Sequence, residues 1–579
     1  MVAILFVSAG SPTAGQQRTV KPAIREPAAT PRAQPRLILL VAADQFRYDY
    51  LDRFGDLFGA NGLRRMLRDG ASWIDANYDQ APTYTAPGQA TMMTGAYPAA
   101  TGIIGNDWPD RASGGKVGSV SDDTAKLFGA GPNEEAASPR RLLASTVGDE
   151  LRLATNDRAK VIGISAKNRA AILTAGKHAN AAYWFSMKTG VFVSSDYYFK
   201  QLPTWVEDFD KTHPADKFFG ARWERLLSEA EYLKRAGPDS PPWEIVKAKG
   251  DTNAFPHIIT GGVTVPGEPF YDALDGTPFA NDLLLAFAEQ TIASEQLGQH
   301  QDTDILTVSF SANDYVGHRY GPYSQEVMDV TLRFDRQLGA LLDFVDRHVG
   351  LSNALVIFTA DHGVGPIPEH AAAVGMNGGR VRSADILAAV RSAVSARYNP
   401  PNKLPDATAD YIYKYDDHGE SKDGFINGNL YFDHAALKRD GVGLDDIEQL
   451  ACGAALAVSG IARCFTRAQL ERGGVSESDT IGRRILHGFY PPRSGDLVMV
   501  VEPFKLLASA EIASHGTPYS YDTHVPLIIM GPGVEAGSYR QPASLVDLAP
   551  TLAAILHIQA PSSVTGRLLL EAMGPAPPN

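Results

Sequence analysis

The sequence predicts an α/β fold with a central, mostly parallel sheet between helices. Two observations carry that reading. Short apolar runs rich in β-branched residues recur along the 579 residues, and each stops at polar or charged residues. Helical patterns lie between them. Leu37–Ala43 runs into Asp44, and Val161–Ile164 runs towards Lys167. Ile305–Phe310 runs towards Asp314, and Ala354–Thr359 runs into Asp361-His362. Val498–Val501 and Pro526–Met530 are similar. Continuous apolar runs fit strands covered on both faces. Gln325–Val345 reads as a helix, with Val327, Val330, Leu332, Phe334, Leu338, Leu341 and Leu342 as its apolar positions.

The strand-ending pattern occupies residues 36–181, 279–365 and 491–572, read as three parts of one core. An aromatic-rich insertion, 182–278, and a second insertion, 366–490, flank or cap it. Residues 573–579 are a tail. Residues 1–35 are a leader and linker whose short apolar run resembles part of a signal peptide. The run is too short to span a bilayer, so a periplasmic or secreted protein without stable membrane insertion is expected.

Composition narrows the function classes. Hydrophobic residues make up 44% and charged residues 21%, a globular mix. A net charge of -13 argues against a nucleic-acid partner. It leaves a small anionic substrate open, because bound metal ions reverse the sign locally. Cys452 and Cys464 have two readings: buried thiols, or one disulfide closing a short loop in an oxidising compartment.

The chemistry sits at the strand ends, where open α/β sheets build their sites. Asp44, Asp314, His318, Asp361, His362 and His515 come from separate segments. Asp314 and His318 are four apart and share a helix face. Mixed His and Asp donors suit zinc better than magnesium or calcium. Thr85, before Ala-Pro-Gly and a helical pattern, puts a hydroxyl at a helix start, where anions are favoured. Taken alone, Thr85 reads as a simple helix cap.

Together the motifs Thr85-Ala-Pro-Gly, Gly102-Ile-Ile-Gly-Asn106, Lys167-Asn-Arg169, Asp314-x3-His318, Asp361-His362-Gly and His515-Gly-Thr-Pro resemble bacterial alkaline phosphatases with a threonine nucleophile. These are related to the type I phosphodiesterase/nucleotide pyrophosphatases of the alkaline phosphatase superfamily. The resemblance implies an alkaline-phosphatase-like core, two Zn2+ per chain and small phosphorylated substrates. Asp314, His318 and His515 would hold one ion; Asp44, Asp361 and His362 would hold the other, with Thr85 bridging towards it. Thr85 would be the nucleophile, giving a phosphothreonine intermediate in phosphate monoester hydrolysis. Asn106, Lys167 and Arg169 would bind the remaining phosphoryl oxygens. His524 competes with His515 for the last ligand position; His515 is preferred because Gly516 follows it. Gln89 departs from the His frequent in relatives and is expected to support the site from behind. A phosphodiesterase or nucleotide pyrophosphatase with the same core is the alternative, and a non-catalytic metal- or phosphate-binding protein is a further one. The oligomeric state is left open, with a monomer favoured.

Overall fold

The computed structural model describes residues 34–244, 252–398, 410–507 and 511–573. The signal-like run and the end of the C-terminal tail lie outside them. Among the described residues no helix is long and apolar enough to cross a membrane.

Ten strands form the central sheet. They are β1 Leu37–Ala43, β2 Ala71–Trp73, β3 Leu127–Phe128, β4 Val161–Ser165 and β5 Ala181–Phe185. The others are β6 Phe192–Ser195, β7 Asp304–Phe310, β8 Ala354–Thr359, β9 Leu527–Met530 and β10 Gly537–Tyr539. Their order across the sheet is β10-β2-β9-β8-β1-β7-β4-β5-β6-β3. The middle run β8-β1-β7-β4-β5 is parallel. β9 joins it antiparallel to β8, and β6 antiparallel to β5, so the whole sheet is mixed. Every residue of β1, β7 and β8 is buried, as their mostly apolar sequences require.

This topology sets the site's position. The carboxyl ends of β1, β7, β8 and β4 lie along one edge of the sheet, and Asp44, Asp314, Asp361 and Lys167 follow them. Because β9 runs the other way, the segment before it arrives at that same edge and delivers His515. Backbone bonds hold that segment in place: Gly363 N–H donates to Asp522 O at 2.7 Å, and Gly365 N–H to Ser514 O at 3.3 Å.

Five helices matter for the site and the core: α1 Thr85–Thr94, α2 Asn168–Ala175, α3 Pro278–Glu295, α4 Ala312–Tyr320 and α5 Gln325–His348. α5 buries the apolar positions read from its sequence. It also buries Asp329, because the 222–226 segment packs over its polar face. There Asp329 accepts from Trp223 Nε1 at 2.6 Å and from Leu226 N at 2.8 Å.

Two sequence expectations are adjusted. Val498–Val501 lies in a strand, Leu497–Val501, but that strand belongs to a separate four-stranded sheet with Phe425–Ile426, Asn429–Leu430 and Ile461–Thr466. An apolar run reports burial, not which sheet buries it. The aromatic stretch 182–278 begins inside the central sheet, as β5 and β6. Its rings pack on the main core, with Phe192 stacked on Phe287 of α3 at 3.8 Å between centroids. Cys452 and Cys464 form a disulfide joining helix Leu444–Leu456 to strand Ile461–Thr466.

α2 approaches β4 closely because Gly163 has no side chain. A Cβ there would lie 2.2 Å from Ala171 O. Gly163→Ala is therefore expected to cost about 1–3 kcal/mol of stability by overpacking, seen as a lower urea midpoint at unchanged slope.

Candidate active site

α1 starts at Thr85, and the extended residue before it, Tyr84, holds the cap position. Thr85 is thus the first helical residue rather than the cap. Pro87 needs no backbone donor in the first turn. Gly88 lets the helix pass close to the end of β8: a Cβ there would lie 2.2 Å from Asp361 O. The hydroxyl of Thr85 is buried and lies 3.5 Å from His362 Nε2.

Two groups of three donors gather beside it, each with ligand atoms within 4.8 Å of one another. One is Asp44, Asp361 and His362; the other is Asp314, His318 and His515. His524 stays outside: its Nε2 faces Ile74 O at 3.0 Å and its ring stacks on Tyr48.

The histidines share one geometry. His318 Nδ1 lies 2.8 Å from Ala513 O, His362 Nδ1 2.9 Å from Gly363 O, and His515 Nδ1 2.7 Å from Thr83 O. A carbonyl oxygen only accepts, so each Nδ1 carries the proton. Each Nε2 then turns inward; in the neutral ring it offers a lone pair. His362 Nε2 lies 3.4 Å from Asp44 Oδ1 and 3.8 Å from Asp361 Oδ1. His515 Nε2 lies 3.6 Å from Asp314 Oδ1.

The electrostatics match a cation site. Asp44, Asp314 and Asp361 are all buried. Burial, then the charges of Asp314 and Asp361, push the Asp44 carboxyl up to about 8. Burial likewise lifts Asp361 to about 6. Burial holds the His362 ring below its usual range. Burial and the neighbouring His362 take His515 down to about 3. His318 is the exception: burial opposes its charge, yet Asp314 lifts it to about 9. Against burial, His318 and Lys167 hold Asp314 well below the carboxylate range. Asp44 Oδ1 is buried and has no hydrogen-bond partner. Neutral imidazole lone pairs facing buried carboxylate oxygens repel unless a cation lies between them. The donor set fits divalent metal ions, and its nitrogen content suits zinc.

Lys167 caps the start of α2, and Arg169 lies in its first turn. The Lys167 ammonium bridges the two groups, donating to Asp44 Oδ2 at 2.6 Å and to Asp314 Oδ2. The sequence reading turned it towards phosphoryl oxygens; here the buried carboxylates, the strongest nearby charges, draw it in. Arg169 Nε is buried without a hydrogen-bond partner. Asn106 Oδ1 accepts from Ala86 N at 2.9 Å, tying the Gly-Asn turn to the helix start. Thr85, Asn106, Lys167, Arg169, Asp314, His318 and His515 all line one cavity of about 760 Å³.

Two glutamines hold the carboxylates. Gln89 Nε2 donates to Asp361 Oδ2 at 3.1 Å and to Ser309 Oγ at 2.9 Å, in line with the support expected of it. Gln45 was not singled out from the sequence. It adopts a left-handed backbone, φ 62°, straight after Asp44. Its N–H donates to Asp361 Oδ1 at 3.2 Å and its Nε2 to Asp314 Oδ1 at 2.6 Å. One residue thereby touches both donor groups. Its only sequence signal was adjacency to Asp44.

With the geometry established, comparisons place the chain. The family model for type I phosphodiesterase/nucleotide pyrophosphatase matches residues 38–508. Alkaline phosphatase PhoV of Synechococcus elongatus is 33% identical over 99% of this chain and 98% of its own length. Alkaline phosphatase PafA of Elizabethkingia meningoseptica is 34% identical over 94% of this chain and 95% of its own. A protein of Myroides odoratus named as a calcium-transporting ATPase is 33% identical over 93% of this chain and 95% of its own. The crystal structure of wild-type PafA superposes with a TM-score of 0.84 at 33% identity, covering 94% of this chain and all of that one. The chain belongs to the type I phosphodiesterase/nucleotide pyrophosphatase family of the alkaline phosphatase superfamily, alongside the bacterial alkaline phosphatases.

Gln45→Ala removes a donor from Asp314 without touching any of the six metal-ligand candidates. It is expected to weaken metal binding about 10–100-fold, the usual effect of losing a group that orients a ligand. Titrating metal into chelator-treated protein measures this.

Proposed function

We propose that the chain, a phosphatase by its family, hydrolyses phosphate monoesters through a phosphothreonine on Thr85 at a site holding two zinc ions. The observation that carries the metal reading is the set of inward-facing Nε2 atoms meeting buried carboxylates. Asp44, Asp361 and His362 would hold one ion, and Asp314, His318 and His515 the other. Bound there, the ions would supply Lewis acidity to a hydroxyl and to developing negative charge.

The chain's own residues do the rest. The Thr85 hydroxyl lies 3.5 Å from His362 Nε2, at a helix start whose dipole favours an anion. Its oxygen would attack phosphorus in line, breaking the ester P–O bond and releasing the alcohol. Water would then attack the phosphothreonine from the vacated side, breaking the P–O bond to Thr85. That returns the hydroxyl and yields inorganic phosphate. Asn106 and Arg169 line the same cavity and would receive the non-bridging oxygens, where charge must be neutralised, and Lys167 would join them once bound metal takes over the carboxylates it now bridges. Arg169 offers a planar fork of donors for such an anion.

We also infer export to the periplasm or beyond. The Cys452–Cys464 disulfide supports it, since disulfides persist in oxidising compartments.

Thr85→Ala is expected to lose nearly all turnover while still binding about two zinc ions per chain by elemental analysis, the usual count for a two-metal site. Near-normal activity in that variant would remove Thr85 as nucleophile, and one ion or none in active wild-type protein would end the two-metal reading. Thr85→Ser should keep part of the rate.

The preference for monoesters rests on Lys167 and Arg169. A monoester has three non-bridging oxygens and a diester two, so a monoester gains more from these cations. Replacing both by Ala should raise the monoester barrier by at least about 2–3 kcal/mol, the scale of losing an oxyanion donor. Diester turnover should change much less. Equal losses, or a wild-type preference for diesters, would favour the phosphodiesterase alternative.

A further inference from the structure

The cavity is far larger than a phosphoryl group, and its lining is mixed. Asn106, Lys167 and Arg169 line it together with polar residues of the smaller sheet and its flank, Asn427, Asn429 and Lys505. Phe425, Ile426, Val498, Val500 and Leu507 are among the residues facing it from the smaller sheet and its flank. None of these apolar groups can serve a phosphoryl oxygen.

The local structure explains why apolar groups point there. In strand Leu497–Val501 the side chains alternate. Leu497, Met499 and Val501 pack in one hydrophobic cluster and Val498 and Val500 in another with Ala81 and Ile485, and all but Leu497 also line the cavity. The hairpin Phe425–Leu430 turns tightly at Asn427-Gly428, both residues with positive φ, 52° and 78°. An Asn-Gly pair suits that turn. The turn reaches the nucleophile's side of the cavity: a methyl group on Gly105 would lie only 4.0 Å from the Asn427 amide nitrogen. The hairpin thus comes close to the residue that precedes Asn106, through its polar Asn427, with Phe425 and Ile426 further along the same hairpin.

We infer that this hairpin and strand bind the organic group of the ester, and that they favour monoesters of bulky, apolar alcohols, aryl esters above short alkyl ones. This inference rests on the monoesterase reading above. The phosphoryl group takes the charged residues, so the alcohol is the part of the substrate left to meet the apolar ones. An apolar wall gains from each additional buried apolar group and offers a short alkyl alcohol little.

The test compares kcat/KM of the metal-loaded protein for phenyl phosphate and 2-naphthyl phosphate, whose leaving alcohols are of similar acidity. The naphthyl ester should be better by at least about fivefold, modest for one extra buried ring. In a Phe425→Ala/Val498→Thr variant the ratio should fall towards one. A second measurement needs no variant: phenylphosphonate should inhibit wild-type protein at least about fivefold more tightly than methylphosphonate, by the same burial argument. If neither aryl ester is hydrolysed, the monoesterase reading falls, and the phosphonate comparison alone decides the wall. Equal inhibition by the two phosphonates, or a naphthyl preference that survives unchanged in the variant, overturns the assignment.

Discussion

Everything at the candidate site depends on one electrostatic constraint: buried carboxylates and imidazole rings are made to face one another. Asp44, Asp314 and Asp361 are buried at one sheet edge, and three Nε2 atoms are turned towards them. Left alone, such a cluster is costly, and the upward shift of Asp44 and Asp361 expresses that cost. Lys167 relieves part of it by bridging two of the carboxylates. A metal ion held by these donors would turn the remaining repulsion into coordination.

The fold supplies the rigidity this requires. Parallel strands end together, so ligands far apart in sequence meet without long loops. The antiparallel β9 brings in the segment that carries His515. Two glycines allow backbones to touch where side chains would not fit. A Cβ at Gly88 would lie 2.2 Å from Asp361 O, and one at Gly363 2.3 Å from Tyr521 O. These approaches fix the distance between Thr85 and His362, and so between the hydroxyl and the donors that would activate it. The histidine rings are set by backbone carbonyls rather than by side chains, which leaves them little freedom to rotate.

The second insertion gives the same cavity a different kind of wall. Its four-stranded sheet has its own core, and a disulfide ties its helix to its strand. Its strand packs into two hydrophobic clusters and lines the cavity over Val498–Val501. Chemistry and substrate contact are thereby carried by different stretches of chain, and the contact surface can vary without disturbing the donors.

Much of this was legible in the sequence, for a physical reason. Apolar runs rich in β-branched residues fit buried strands, and Asp or His residues after them gather where parallel strands end together. The Asp314–His318 spacing fixed a shared helix face, and Gly after His515 distinguished it from His524. Other features depend on contacts between distant segments, which no local pattern records. These include the antiparallel entry of β9 and the membership of Leu497–Val501 in the smaller sheet. Gln45 belongs with them. Its role comes from a left-handed backbone that swings its amide onto Asp314, 269 residues away. The sequence by itself determined which residues could bind metal and carry phosphate, because those properties belong to the side chains. The tertiary structure decided which lone pairs face each other, where Lys167 rests and what lines the rest of the cavity, because those depend on the path of the whole chain.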